Sequence, residues 1–111
     1  MRLSLHQTLA IISLLALPAL APAKAQDLPG DVAAGRQLAE TWCATCHQIN
    51  PSGKRPAVGA PPFPDIANLS STTALALNVF LRTSHDVMPN YQMRREDADN
   101  VVAYILSLKG K

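Results

Sequence analysis

The five residues Cys43-Ala44-Thr45-Cys46-His47 constrain this chain more than any other feature. Two thiols three positions apart, followed at once by an imidazole, form the C-x-x-C-H pattern of a c-type haem attachment site. The spacing has a chemical reason. Each thiol can add to one of the two vinyl groups of a haem, and the residue after the second thiol is then held beneath the iron. Cys43 and Cys46 are the only cysteines among the 111 residues, so attachment uses both and leaves no thiol over. Two other readings compete. A thioredoxin-like redox pair sits near a βαβ pattern, and this chain shows no strand pattern. A structural zinc site takes four ligands, and past the first 25 residues only His47 and His85 remain to complete one. The motif therefore favours haem.

The N-terminal segment supports that reading through compartment. Residues 1–25 hold 16 apolar side chains, with Arg2 at the start, an apolar run from Leu9 to Leu17 broken only by Ser13, and Ala23-Lys24-Ala25 before Gln26. This is the layout of a secretory signal peptide, with cleavage expected after Ala25 and the product in the periplasm. An uncleaved membrane anchor is the alternative. It needs about 20 apolar residues, and Pro18, Pro22 and Lys24 shorten the run. Cleavage leaves Gln26–Lys111, 86 residues with eight basic and eight acidic side chains, because Arg2 and Lys24 depart. That is one small domain. With no run of Lys or Arg it lacks the basic patch of a nucleic-acid binder. A domain this small buries a modest core, and a bound cofactor is one way to supplement it.

The remaining pattern is helical. Asp31 is placed to N-cap a helix reaching about Thr41, with Ala34, Leu38 and Val32 on its apolar face. Gly35 inside it points to close approach of another helix. Residues 48–64 carry Pro51, Pro56, Pro61, Pro62 and Pro64 with Gly53 and Gly59, and read as a loop with Lys54 and Arg55 at a solvated tip. Asp65–Leu69 reads as one short turn. Ser70–Thr73 offers N-caps for a helix from about Thr73 to Thr83, with Leu77, Phe80 and Leu81 facing the core. A last helix is expected from Arg95 to Lys109, with Ala98, Val101, Val102, Ile105 and Leu108 at helical spacing. Glu96, Asp97 and Asp99 suit its positive N-terminus and Lys109 its last turn. Gly110 is the expected C′ residue. Trp42 is expected to pack rather than to contact a partner.

Four stretches in order resemble a family. Gly35-x-x-Leu38 leading to Cys43-x-x-Cys46-His47, then Gly59-Ala60-Pro61-Pro62-Phe63, then Met88-Pro89-Asn90-Tyr91, then Val101 to Leu108 resemble the small bacterial class I cytochromes c. The resemblance implies an all-α fold of three to four short helices and long loops wrapped around one covalently bound haem. The N- and C-terminal helices would cross with Gly35 near Tyr104. It implies His47 as proximal ligand, its other ring nitrogen on a carbonyl, that of Pro61 or its neighbour Pro62. It implies Met88 as the distal ligand, with His85 a polar loop residue and Met93 a core residue. Arg94 departs from the family's Ser or Thr at the cap of the last helix. A haem edge ringed by Ala44, Thr45, Ala60, Pro61, Val87 and Pro89 would follow.

A haem with two protein ligands has no open position for a substrate. The expectation is a soluble, monomeric periplasmic electron carrier, not an enzyme. It would move one electron between a dehydrogenase-type donor and an oxidase or reductase. Two alternatives stand beside it: a five-coordinate haem protein with peroxidase or gas-binding activity, and a dedicated subunit of one dehydrogenase. Small, transient interfaces suit redox encounters, and a chain without net charge predicts weak long-range steering.

Overall fold

A computed structural model describes residues 29–85 and 87–111. The expected signal segment, residues 1–25, lies outside them. The described chain is all-α, with four helices and no strand. They are α1 (Val32–Trp42), α2 (Phe63–Asn68), α3 (Ala74–Leu81) and α4 (Arg95–Ser107).

α1 and α3 start where a side chain satisfies a free backbone donor. The Asp31 carboxylate accepts from the Ala34 N–H at 2.7 Å, and the Thr73 hydroxyl accepts from the Ala76 N–H at 3.1 Å. Such caps are worth about 1 kcal/mol each. The segment expected as a turn at Asp65–Leu69 is instead the helix α2, which begins at Phe63 with Pro64 in its first turn. Proline fits there because that N–H has no intrahelical partner anyway. At α4, Arg94 gives no cap; its guanidinium grips the Asp97 carboxylate through two bonds of 2.9 and 3.1 Å. The helix also ends earlier than its pattern suggests, at Ser107. Leu108 and Lys109 continue as tight turns onto the Ile105 and Leu106 carbonyls. Lys109 thus lies beyond the last helical turn. Gly110, at φ +78°, is one residue further out than a C′ position, and its N–H reaches the Asn68 side chain at 2.9 Å.

α4 is the hub, packed against α1, α2 and α3. Neighbours on several sides explain why Val101 and Val102, adjacent in sequence, are both fully buried. The crossing of α1 and α4 is very close. A Cβ at Gly35 would run into the Asn100 carbonyl and touch the Tyr104 side chain, and one at Gly30 would strike the Asp99 backbone. The Asp31 N–H also donates to the Asn100 side chain at 2.7 Å. Of the expected α1 face, Leu38 packs on the core, while Val32 is exposed at the helix start.

The long loop between α1 and α2 is fastened at both ends. The Phe63 N–H bonds the Gln48 carbonyl at 2.9 Å. Gln48 donates to the carbonyls of Asn50 and Pro51. The Tyr104 hydroxyl, reaching across from α4, donates to the Ile49 carbonyl at 2.9 Å.

Candidate functional site: an apolar cavity behind the Cys-x-x-Cys-His turn

The motif continues the last turn of α1. The N–H of His47 bonds the Cys43 carbonyl at 2.8 Å, and that of Cys46 bonds the same oxygen at 3.1 Å. This turn brings Cys43, Cys46 and His47 to the wall of a cavity of about 770 Å³. That is at the large end of the range for cofactor and ligand sites, about 300–1,000 Å³. The opposite walls come from the loop around Val58–Pro61, from α2 through Phe63 and Ile66, from α3 through Leu77, Phe80 and Leu81, and from the segment His85–Tyr91. All five residues singled out from the sequence, Cys43, Cys46, His47, Pro61 and Met88, line this one cavity. Met93 does not; it packs against the core.

His47 is held from two directions. Its Nδ1 lies 2.7 Å from the Pro61 carbonyl. An oxygen of that kind only accepts, so Nδ1 carries the ring proton and Nε2 keeps a free lone pair. The ring also rests against Phe63, centroids 5.2 Å apart, and Phe63 in turn meets Tyr104. Carbonyl-oriented imidazoles of this sort are the usual form of a metal-ligating histidine. Of the two carbonyls that the sequence leaves open, that of Pro61 is the one in contact.

The thiols are free and not bridged. Burial first, then the neighbouring Cys46, pushes the Cys43 thiol up to about 11. A redox-active pair works the other way, by holding one thiol low enough to ionise near neutrality. Among the described residues there is no strand to build a thioredoxin-like fold, and no group of three or more His, Cys, Asp or Glu that could hold a metal ion.

Two aromatic pairs frame the far side. Trp42 stacks on Tyr91 with centroids 5.9 Å apart, and the Tyr91 hydroxyl donates to the Trp42 carbonyl at 3.2 Å. Trp42 is half-buried and packs on the core as expected. Phe80 packs against His85 with centroids 3.8 Å apart and the rings tilted by 35°. Phe80, expected to face the core with Leu77 and Leu81, lines the cavity instead and is half exposed. The rim differs from expectation as well. Ala60, Pro61, Val87 and Pro89 are on the cavity wall, whereas Ala44 packs inward and Thr45 is not part of the lining. Tyr91, named with the Met88 stretch, is on it, and so are Val58 and Leu69, which were not singled out from the sequence. All three are exposed apolar or aromatic side chains around one opening, a pattern that depends on which loops meet.

An apolar cavity with two unbridged thiols and an oriented imidazole on one wall is built to take a large flat apolar group. Residues 30–105 match the family described as cytochrome C oxidase, cbb3-type, subunit III. The chain belongs to the cytochrome c family. This cytochrome c is 31% identical over 91 residues to cytochrome c-552 of Bradyrhizobium diazoefficiens, an alignment covering 82% of this chain and 88% of that relative. It is a small class I cytochrome c and an electron carrier, with haem c as its covalent iron cofactor. The residues present fit that group. The cavity has the size, and its thiols, imidazole and thioether are the donor types such a haem uses. Electron-carrier families of this kind are generally non-enzymatic.

Proposed function

We propose that this cytochrome c is a soluble periplasmic one-electron carrier. In this reading Cys43 and Cys46 would form the two thioether links, and His47 and Met88 would supply the two protein donors to the iron. The observation that carries it is the convergence of all four on one apolar cavity, with His47 already turned by the Pro61 carbonyl so that Nε2 is free. Bound haem c supplies the one-electron iron couple. The chain's own residues do the rest. The thiols would hold the group, Pro61 and Phe63 orient His47, and Leu77, Leu81 and Phe63 would keep water away. A Met and His pair raises the reduction potential and leaves no position open for substrate.

The exposed side chains at the opening, Val58, Leu69, Phe80 and Val87, support docking of a redox partner over the haem edge. The donor would be a periplasmic dehydrogenase and the acceptor a terminal oxidase or reductase; the oxidase in the family description favours the former kind of acceptor. No described helix is long and apolar enough to cross a membrane.

Three measurements test the reading on the exported holoprotein. Intact mass is expected to show one haem added and no free thiol, on a chain beginning at Gln26. The oxidised spectrum is expected to show the weak red-edge band of a thioether–iron bond, and Met88→Ala to abolish it. A high-spin spectrum in the unaltered protein, with ready carbon monoxide binding, would instead mark a five-coordinate haem protein.

A further inference from the structure

We propose that His85 is a reserve axial donor, held beside Met88 to take its place when the thioether is withdrawn. The inference rests on the reading of Met88 as the resident donor, and three observations carry it.

The first is the contact itself. His85 Nε2 lies 3.2 Å from Met88 Sδ, and both side chains line the cavity. The second is the state of that nitrogen. His85 Nδ1 is 2.9 Å from the Thr83 carbonyl. A carbonyl can only accept, so the proton of the neutral ring is on Nδ1 and Nε2 is bare. Imidazole nitrogen and thioether sulfur here lie side by side, each of a kind that binds iron. The third is the parallel with His47. Both imidazoles present Nδ1 to a backbone carbonyl, at 2.7 Å for Pro61 and 2.9 Å for Thr83, and both rings line the cavity, with His85 Nε2 turned to Met88 Sδ. The Phe80 ring packs tilted against the His85 ring, centroids 3.8 Å apart.

The exchange breaks one iron–sulfur bond and forms one iron–nitrogen bond. No electron is transferred, and no proton has to leave because Nε2 carries none. The outcome is a haem with two imidazoles. It stays closed to small exogenous ligands, and it has a lower potential than the Met and His form.

The test uses the holoprotein and two substitutions at Met88. In Met88→Ala, and in Met88→Leu, which keeps the apolar volume, the red-edge thioether band is lost. Both variants nevertheless stay low-spin in both oxidation states, with a downward shift in midpoint potential and little carbon monoxide binding. The double variant His85→Ala/Met88→Ala becomes high-spin and binds carbon monoxide readily. A high-spin spectrum in both single variants would overturn the exchange. So would a double variant that remains low-spin, which would place another donor there. Absence of the thioether band from the unaltered protein would overturn the reading of Met88 itself, and the exchange with it.

Discussion

The phenol of Tyr104 spans 55 positions of sequence to donate to the Ile49 carbonyl, and its ring backs Phe63, which backs His47. Tyr104 therefore ties α4 to the loop that orients the proximal side of the cavity. Burial raises its phenol above the ordinary value; Arg36 opposes and Glu40 adds to the rise. A folded-state value above the unfolded one stabilises the protein fully below the unfolded value, about pH 10. That contribution is lost as pH rises through the folded value. Tyr104→Phe is expected to lower stability at pH 7 by about 1–3 kcal/mol, since it strands a buried carbonyl. It should also flatten the alkaline fall. Denaturant midpoints of both proteins from pH 8 to 11 check both effects. At this scale the chemistry of the motif could be read directly, because C-x-x-C-H is local. The contact of His47 with Pro61 rather than Pro62 could not, because it depends on how a proline-rich loop turns. Phe80 obeys the periodicity of its helix, but periodicity does not separate the wall of a cofactor cavity from a protein core.

α1 and α4 meet backbone to backbone at Gly35, and the neighbouring contact at Gly30 shows that the close approach extends past one turn. Alanine at position 35 gains about 1 kcal/mol of helix propensity. It also drives a methyl group into the Asn100 carbonyl, which belongs to backbone and cannot rotate aside. Overpacking of this sort costs about 1–3 kcal/mol, so Gly35→Ala is expected to be net destabilising, with a lower thermal midpoint in the holoprotein. A glycine in an otherwise good helix was a readable sign of this crossing. The starts of α1 and α3 were readable too, since Asp31 and Thr73 carry their caps in the side chain. α2 was not, because proline in a first turn looks like loop until the fold supplies the rest. The end of α4 was misplaced for a related reason: apolar spacing runs on through Leu108 after the hydrogen bonds have tightened.

At the scale of the molecule, the described residues present an apolar opening on a chain whose two surplus positive charges, Arg2 and Lys24, both fall in the first 25 residues. Long-range attraction then contributes little to encounter, and contact area at the rim contributes more. Electron-transfer rates with a physiological partner are expected to change little between low and high salt. Val58→Asp, which puts a charge on the rim, is expected to slow them by about tenfold, near 1.4 kcal/mol, without altering the visible spectrum. Stopped-flow measurement across an ionic-strength series checks both; a steep salt dependence in the unaltered protein would count against this account. The existence of a haem cavity was legible in the sequence, and its five-walled outline was not, since it is made by segments that meet only in three dimensions. The clasp between Gln48 and Phe63 has its own consequence. It makes the intervening loop a closed detour whose length is decoupled from the site. Because doubling a loop costs only about 0.6 kcal/mol, residues 52–57 can lengthen, shorten or carry a graft while Pro61 stays where His47 needs it. Variation in this protein's surface can therefore accumulate at the loop tip without altering its redox properties.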